Sequence, residues 1–140
     1  MSLLTRMLLS FVVVAVFWLP QPVQAACKIY RKDSSLYSNL VANIRGEKLY
    51  HKDSGLYSNL LANVRGNKIY RKDSGLYSNL IANIRGNRVY HKDSGLYSNL
   101  KANIKGDRIY HTDSTLYSNL LLNGKNCSQR ELAFAAGALL

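Results

Sequence analysis

The chain lacks most of what would mark a helical or a membrane-spanning protein. Beyond residue 19 it has no apolar run long enough to cross a bilayer, and its main body has no apolar stripe at the 3.6-residue period of a helix. Acidic residues number only 8 against 19 lysines and arginines, which gives a net charge of +11. Proline is limited to Pro20 and Pro22, and cysteine to Cys27 and Cys127.

What the chain does have is a repeat of twenty residues, present five times from Lys28 to Cys127. The units read KIYRKDSSLYSNLVANIRGE, KLYHKDSGLYSNLLANVRGN, KIYRKDSGLYSNLIANIRGN, RVYHKDSGLYSNLKANIKGD and RIYHTDSTLYSNLLLNGKNC. Such close self-similarity indicates one supersecondary unit copied in tandem. Residues twenty apart therefore form a series, which is named below after its first member.

Residues 1–25 are predicted to be a secretory signal peptide. Arg6 precedes the apolar run Leu8–Leu19, which is too short and wrongly flanked for a spanning helix. We therefore expect an exported protein, periplasmic or extracellular. A second interpretation stays open, because Gln24-Ala25-Ala26-Cys27 resembles the site at which bacterial lipoproteins are acylated on cysteine. The remaining chain divides into a repeat domain, residues 26–127, and a tail, residues 128–140.

The two cysteines stand at the same phase of the repeat, five periods apart. In a linear stack of units their sulfurs would lie roughly 24 Å apart, at ~4.8 Å per strand. In a closed ring the two positions coincide, within reach of a disulfide. The phase of Cys27 and Cys127 therefore favours a ring and a disulfide between them, with lipidation of Cys27 as the alternative.

Each unit is predicted to be a β-hairpin. Lys52-Asp53-Ser54-Gly55 forms one turn, in which Gly55 accepts a positive φ, and Gly66-Asn67 forms the tight loop between two strands. Pairing across that loop sets Arg65 opposite Lys68 and Ala62 opposite Arg71. The fold class is thus all-β, five hairpins closed into a shallow symmetrical barrel with a packed apolar centre.

The same pairing assigns faces to the apolar series. The core is predicted to contain the Leu40 series (Leu40, Leu60, Leu80, Leu100, Leu120), the Ile29 series (Ile29, Leu49, Ile69, Val89, Ile109) and Ala42, Ala62, Ala82 and Ala102. The Val41 series (Val41, Leu61, Ile81, Lys101, Leu121) is expected on the opposite face, where Lys101 indicates exposure. The tail begins with a capping box at Ser128 and Glu131, so it is expected either to form a short helix that covers an open end of the ring or to be a frayed terminus.

The basic residues fall into two adjacent series. They are the Lys28 series (Lys28, Lys48, Lys68, Arg88, Arg108) and the Arg45 series (Arg45, Arg65, Arg85, Lys105, Lys125). In a linear stack these cations would repel along a ladder, whereas in a ring they can splay into solvent. Without Arg6, 18 basic and 8 acidic residues leave a net charge of +10. We therefore expect an anionic partner, and both series are candidate anion-binding residues.

Other candidate sites are weaker. His51, His91 and His111 alternate with arginine at one phase, which is typical of a solvated polar position rather than a metal site. Ten tyrosines occupy two phases and are expected to pack against asparagine across strands, with a ring suited to sugars or lipid headgroups as the alternative. Nothing outside the repeat supplies a nucleophile, a base or an oxyanion donor, so neither catalysis nor a cofactor or metal is predicted.

The Ile29-Tyr30 pair, the Asp53-Ser54-Gly55 turn and the hairpin entry Asn43-Ile44-Arg45-Gly46 carry a family resemblance over Lys28 to Cys127. The chain resembles the five-fold β-flower proteins, in which hairpins surround a shallow barrel similar to the Tubby-type barrel. The resemblance implies that fold, and by analogy of fold alone it suggests binding of acidic lipids.

The predicted function is a non-catalytic exported binding or scaffold module. Its basic rim would contact anionic envelope material: lipid headgroups, lipopolysaccharide or another polyanion, with peripheral membrane contact and no nucleic-acid motif. The alternative is a self-assembling structural protein, because repeats rich in Asn, Ser and Tyr also resemble curli-type fibre subunits that stack as a β-solenoid.

Overall fold

The computed structural model describes residues 12–15 and 25–140, so the predicted signal peptide lies almost wholly outside the described residues. Each unit contributes a short strand, a 3₁₀ turn (Tyr37–Asn39 in the first unit) and a long strand. The strands are β1 Cys27–Arg31, β2 Leu40–Arg45, β3 Lys48–His51, β4 Leu60–Arg65, β5 Lys68–Arg71, β6 Leu80–Arg85, β7 Arg88–His91, β8 Leu100–Lys105, β9 Arg108–His111 and β10 Leu120–Lys125, followed by the helix α1, Gln129–Leu139.

The predicted hairpins are confirmed in type and register. Arg65 lies opposite Lys68 and Ala62 opposite Arg71, with two further pairs between them. Gly66 adopts φ +60°, a left-handed conformation that a β-carbon disfavours. Because this glycine occupies the first loop position, the two-residue turn continues the twist of the strands that it joins.

The sheet closes on itself. Strand β1 pairs with β2 on one side and with β10 on the other, with Lys28 opposite Lys125, so the ten strands form a closed barrel. Cys27 and Cys127 form a disulfide across this seam, with their Cα atoms 4.6 Å apart and 100 residues between them in sequence. The closure predicted from the cysteine phase is confirmed, and a sulfur held in this bond is not free to carry a lipid.

A β-bulge in every unit exchanges the faces predicted for two series. Leu49 lies opposite Ala62, but the next residue, Tyr50, lies opposite Leu60, so Leu61 is an extra residue in its strand. Leu60 is therefore buried on the outer side with Tyr50, and the Leu40 series as a whole lies outside the central core. The prediction for both series was wrong, because strict alternation does not survive a bulge. Except for Leu61, which is 37% exposed, the Val41 series is buried or partly buried against the interior.

The tail forms the predicted helix, but the helix lies inside the barrel instead of over its end. Ser128 and Glu131 make the capping box that the sequence indicated. Residues 132–137 are buried in succession, and Leu132 and Phe134 are at most 1% exposed. Because consecutive residues point to different sides of a helix, their burial means that the sheet surrounds the helix. The helix accordingly contacts β2 and β4 through β10.

Two glycines make room for this helix. In the fifth unit Gly124 replaces the isoleucine or valine of the other units, and a β-carbon there would lie 2.5 Å from Leu132 Cδ2. A β-carbon on Gly137 would meet Ile69, and it would also lie 3.1 Å from both Ala82 Cβ and Val89 Cγ1. The helix is therefore seated against the wall at both of its ends.

Candidate functional site

The short strands end in a ring of basic and imidazole side chains at one end of the barrel. This Arg31 series consists of Arg31, His51, Arg71, His91 and His111, all of them exposed. Each residue lies opposite an interior-facing partner, as His91 lies opposite Ala82, so the ring faces the barrel axis. We term this end the mouth.

The helix runs from the hairpin turns to the mouth. At its start Gln129 Nε2 and Arg130 Nη2 donate hydrogen bonds to the carbonyls of Gly106 and Gly66, two of the hairpin turns. Near its end Lys101 Nζ donates to the carbonyl of Gly137 at 3.1 Å. The negative end of the helix dipole therefore lies at the mouth, in contact with the Lys101 ammonium group.

Lys101 is 6% exposed, which contradicts the exposure expected from the sequence. The bulge turns its side chain inward, where its four counterparts are apolar. Burial lowers the pKa of the Lys101 ammonium group below its ordinary value. Burial and the neighbouring charge of Lys101 also lower the pKa of His91. Protonation of His91 and of Lys101 is therefore less favourable than it would be in water.

The turn after each short strand places a side chain where glycine would be expected. The Lys32 series (Lys32, Lys52, Lys72, Lys92, Thr112) has φ between +48° and +50° in all five units. The positive φ predicted for Gly55 was therefore wrong, because Lys52 adopts it instead. The lack of a side chain at Gly55 leaves room for the Arg45 guanidinium, since a β-carbon there would lie 2.7 Å from Arg45 Nη1.

Five Leu–Tyr pairs project from the 3₁₀ turns into solvent. The pairs, Leu36-Tyr37, Leu56-Tyr57, Leu76-Tyr77, Leu96-Tyr97 and Leu116-Tyr117, are 64–69% exposed. The predicted packing of tyrosine holds for the Tyr30 series, of which Tyr30, Tyr90 and Tyr110 are at most 9% exposed, and not for the Tyr37 series. The apolar and aromatic residues from Leu56 onward suit a continuous strand, which by itself would not indicate this exposure. The signal was present in Ser58-Asn59, two turn-forming residues.

Shallow grooves lie where neighbouring units meet at the rim of the mouth. One of about 470 Å³ is lined by Tyr77 from the third unit and by His91, Lys92, Asp93, Ser94 and Asn99 from the fourth. The equivalent groove of about 570 Å³ brings Tyr117 of the fifth unit to Arg31, Lys32, Asp33, Ser34 and Asn39 of the first. Exposed tyrosines and cations therefore share one surface, the mouth face, defined by the Arg31, Lys32 and Tyr37 series.

Comparison with known proteins identifies the architecture. A search of the curated proteins and one of the solved structures found no match. A family model described as 6-fold beta flower protein matches residues 28–139, which include the five hairpins and the helix. The chain belongs to this β-flower family. The resemblance seen in the sequence was to five-fold β-flower proteins; the matching family is described as six-fold, whereas this chain closes its barrel with five hairpins.

In this β-flower barrel the first predicted anion-binding series joins neighbouring units. Each member of the Lys28 series lies 3.0–3.8 Å from an aspartate of the next unit, as Lys28 does from Asp53. The last pair, Arg108 with Asp33, closes the circle. A hydrogen bond with Tyr110 and the charge of Asp33 raise the pKa of Arg108. These cations are offset by carboxylates, and anion binding by them stays a prediction.

In this β-flower barrel the Arg45 series, the second predicted anion-binding series, also contacts the next unit. Arg45 Nε donates to Asn43 Oδ1 at 2.9 Å, and its Nη2 donates to the carbonyl of Asp53 at 3.3 Å. Asn43 Nδ2 in turn donates to the carbonyls of Lys52 and Ser54. These asparagines therefore satisfy backbone carbonyls in the turn of the next unit. The arginines of the Arg45 series thus use part of their hydrogen-bonding capacity to hold these asparagines and, at Arg45 and Arg65, the turn of the next unit.

Among residues 12–15 and 25–140 of this β-flower chain, no group of three or more His, Cys, Asp or Glu side chains is arranged to hold a metal ion. The three histidines lie apart on the Arg31 series, with strands between them. No helix within the described part is both long and apolar enough to cross a membrane.

Proposed function

We propose that the protein is a non-catalytic exported binding module whose mouth face contacts anionic envelope material, in the first place an anionic lipid surface. The observation that carries the proposal is the exposure of five Leu–Tyr pairs, ten large side chains at 64–69%. Scattered exposed leucines need no explanation, but a fivefold ring of them beside tyrosine is the kind of surface that a partner covers.

The chemistry of the mouth face fits a membrane interface. Tyrosine combines an apolar ring with a polar hydroxyl, which suits it to the boundary between headgroups and acyl chains. The cations of the Arg31 and Lys32 series lie in the same grooves as the tyrosines. Each lysine near an anionic leaflet contributes about 1 kcal/mol to binding. Apolar contact and charge therefore act on the same partner.

Vesicle sedimentation tests this proposal. The protein is expected to bind phosphatidylglycerol vesicles and not phosphatidylcholine vesicles, with affinity that falls as salt is raised. A variant with Leu36, Leu56, Leu76, Leu96 and Leu116 replaced by serine is expected to lose most binding. A second variant, with Lys32, Lys52, Lys72 and Lys92 replaced by glutamine, should lose about fivefold per lysine, and the matched lysine-to-arginine variant should retain binding.

Equal binding to both kinds of vesicle, or full binding by the serine variant, would refute the proposal. Circular dichroism of each variant establishes that loss of binding is not loss of fold. The alternative function, a fibre that grows by strand stacking, needs a free strand edge. In the described residues every strand of the barrel is paired on both sides, so the barrel offers no edge on which such a fibre could grow.

A further inference from the structure

We infer that the grooves between neighbouring units are binding sites for a sugar that carries a phosphate group, repeated around the mouth face. The inference deepens the proposed function, on which it rests, by naming the headgroup chemistry that the face recognises. The groove between the fifth and first units is lined by Tyr117, Arg31, Lys32, Asp33, Ser34 and Asn39.

The aromatic wall of the groove is free to stack. Tyr117 is 64% exposed, so its ring is not used in packing. An exposed aromatic ring offers a flat apolar surface that matches the C–H face of a pyranose, while its hydroxyl stays in water. A neighbouring unit supplies the remaining polar groups, so that the site exists only where two units meet.

The lysine that lines the other side of the groove has a strained backbone conformation. Lys32 has φ +48°, in the left-handed region where glycine or asparagine is least strained. The same holds for Lys52, Lys72 and Lys92, and for Thr112, whose branched β-carbon makes it the greatest outlier. A strained position that keeps a long cationic side chain in four of five units indicates that the side chain is used. A phosphate is the ligand group that such a cation fits.

The rest of the groove is rigid and can accept hydrogen bonds from sugar hydroxyls. Ser34 Oγ accepts from the backbone N–H of Leu36 at 3.1 Å and from Asn39 Nδ2 at 2.9 Å, which fixes the loop. Asp33 is paired with Arg108, which offsets its charge and leaves a carboxylate 46% exposed. A preformed wall lowers the entropy lost on binding.

The five grooves are not equal, and their differences rank them. Two combine an arginine with a lysine, at Arg31-Lys32 and Arg71-Lys72, and two combine a histidine with a lysine, at His51-Lys52 and His91-Lys92. The last has His111 and Thr112 and therefore no permanent cation at these two positions. The repeat predicts that the tyrosine of the preceding unit lines each groove, and hence that Tyr117 and Tyr57 report the strongest sites and Tyr97 the weakest.

A titration followed by NMR tests the inference on the full folded chain. The probe is glucose 1-phosphate, and glucose and inorganic phosphate are the comparison ligands. For so small a ligand we expect a dissociation constant on the order of 1 mM. The ring signals of Tyr117 and Tyr57 should shift at the lowest concentrations and those of Tyr97 at the highest. Both comparison ligands should bind at least tenfold more weakly.

Two variants locate the site. Tyr117→Ala and Lys32→Gln should each weaken the groove at the seam by tenfold or more, while the shifts of Tyr57 persist as the internal control. Lys32→Arg should retain binding at the seam. Absence of tyrosine shifts would overturn the inference, as would equal affinity for inorganic phosphate or equal shifts at Tyr97. Vesicle binding that persists in that case would leave the proposed function standing. Sugar-phosphate binding without vesicle binding would support the inference and refute the lipid surface.

Discussion

Arginine and glycine are matched across the boundaries between units. Where Arg45, Arg65 and Arg85 stand, the next unit has Gly55, Gly75 and Gly95, and a β-carbon at each glycine would lie 2.7–2.8 Å from a guanidinium atom. Where lysine stands instead, at Lys105 and Lys125, the next unit has Thr115 and, around the ring, Ser35. The larger guanidinium therefore occurs only opposite a residue without a side chain. This pattern is visible in the sequence and, read circularly, it indicates which units are neighbours.

Replacing Gly55 by alanine is expected to destabilise the protein by about 0.5–1.5 kcal/mol, because the new methyl group displaces the Arg45 guanidinium from its hydrogen bond with the carbonyl of Asp53. Arg45→Lys should relieve the overlap, so the double variant should lose less than the sum of the two single variants. The free energy of unfolding in urea measures both effects. Thr115→Ala, opposite a lysine, is the control and should change stability by less than about 0.5 kcal/mol. Additive losses in the double variant would contradict this account.

Lys101 should make stability depend on pH in the alkaline range. Its pKa in the folded protein lies below 10.5 because of burial, so between the two values the unfolded chain binds more protons than the folded chain. Stability therefore rises with pH in the window that ends at 10.5. In Lys101→Leu, which restores the apolar residue of the other units, this rise should be absent.

The measurement is the difference in unfolding free energy between the wild type and Lys101→Leu, followed from neutral to alkaline pH. The difference cancels the titration of the other lysines and tyrosines. The same variant should raise the pKa of His91, since one of the two causes that lower it is removed. A constant difference across the pH range, with an unchanged His91 titration, would show that Lys101 is not buried in solution.

At the scale of the elements, the helix is the part that makes the barrel a packed object. The Ile29 series forms its wall at 0% exposure, and Leu132 and Phe134 fill the centre. Ten strands leave an interior wide enough to need filling, and a helix of small residues fits where bulky side chains from five units would collide. The last unit accordingly departs from the repeat at Gly124, where the helix enters.

Gly137→Ala is expected to destabilise the protein, although alanine is the better helix former by about 1 kcal/mol. The added methyl group meets Ile69 and crowds Ala82 and Val89. Ile69→Val removes the atom in closest contact and should recover part of the loss, because valine already stands at this phase at Val89. Thermal and urea unfolding of the single and double variants provide the test. A gain in stability for Gly137→Ala would place the helix outside the barrel.

Some elements could be predicted from the sequence and others not, for physical reasons. The hairpin at Gly66 follows from turn chemistry that acts within a few residues, so its register could be predicted. The bulge at Leu61 could not, because it results from closure of the whole barrel and leaves no local signal. Its consequence was the wrong face for Lys101 and for the Leu40 series. The sequence identifies the tyrosines of the candidate site but not their exposure. That exposure follows from the 3₁₀ turn, which the strand pattern does not predict.

At the scale of the whole molecule, closure depends on contacts that recur at every boundary. Each boundary has a cation–aspartate pair and an asparagine that donates to two carbonyls of the next loop, as Asn123 does to Lys32 and Ser34 across the seam. Exposed ion pairs of this kind contribute little singly. Their effect is instead to fix the position of each unit relative to the unit before it. The seam has the same register of strand pairs as the other boundaries, but no backbone crosses it.

The disulfide takes the place of that missing backbone, so its removal should act on the seam first. Cross-linking residues 100 apart restricts the unfolded chain, which corresponds to about 4–5 kcal/mol. The Cys27→Ser, Cys127→Ser double variant is expected to remain folded with stability lower by up to that amount. Hydrogen exchange should accelerate between β1 and β10, where Lys28 pairs with Lys125.

The boundary between β4 and β5 is the matched control, since it has the same register of strand pairs and an intact backbone, and its exchange should change less. A uniform acceleration at all five boundaries would mean that the ring opens as one cooperative unit and that the seam is no weaker than the rest. If instead neither stability nor exchange changed, the contacts between units would suffice for closure. If the ring opens first at its seam, the disulfide between the first and last units is what keeps the ring closed there. It thereby keeps the mouth face continuous.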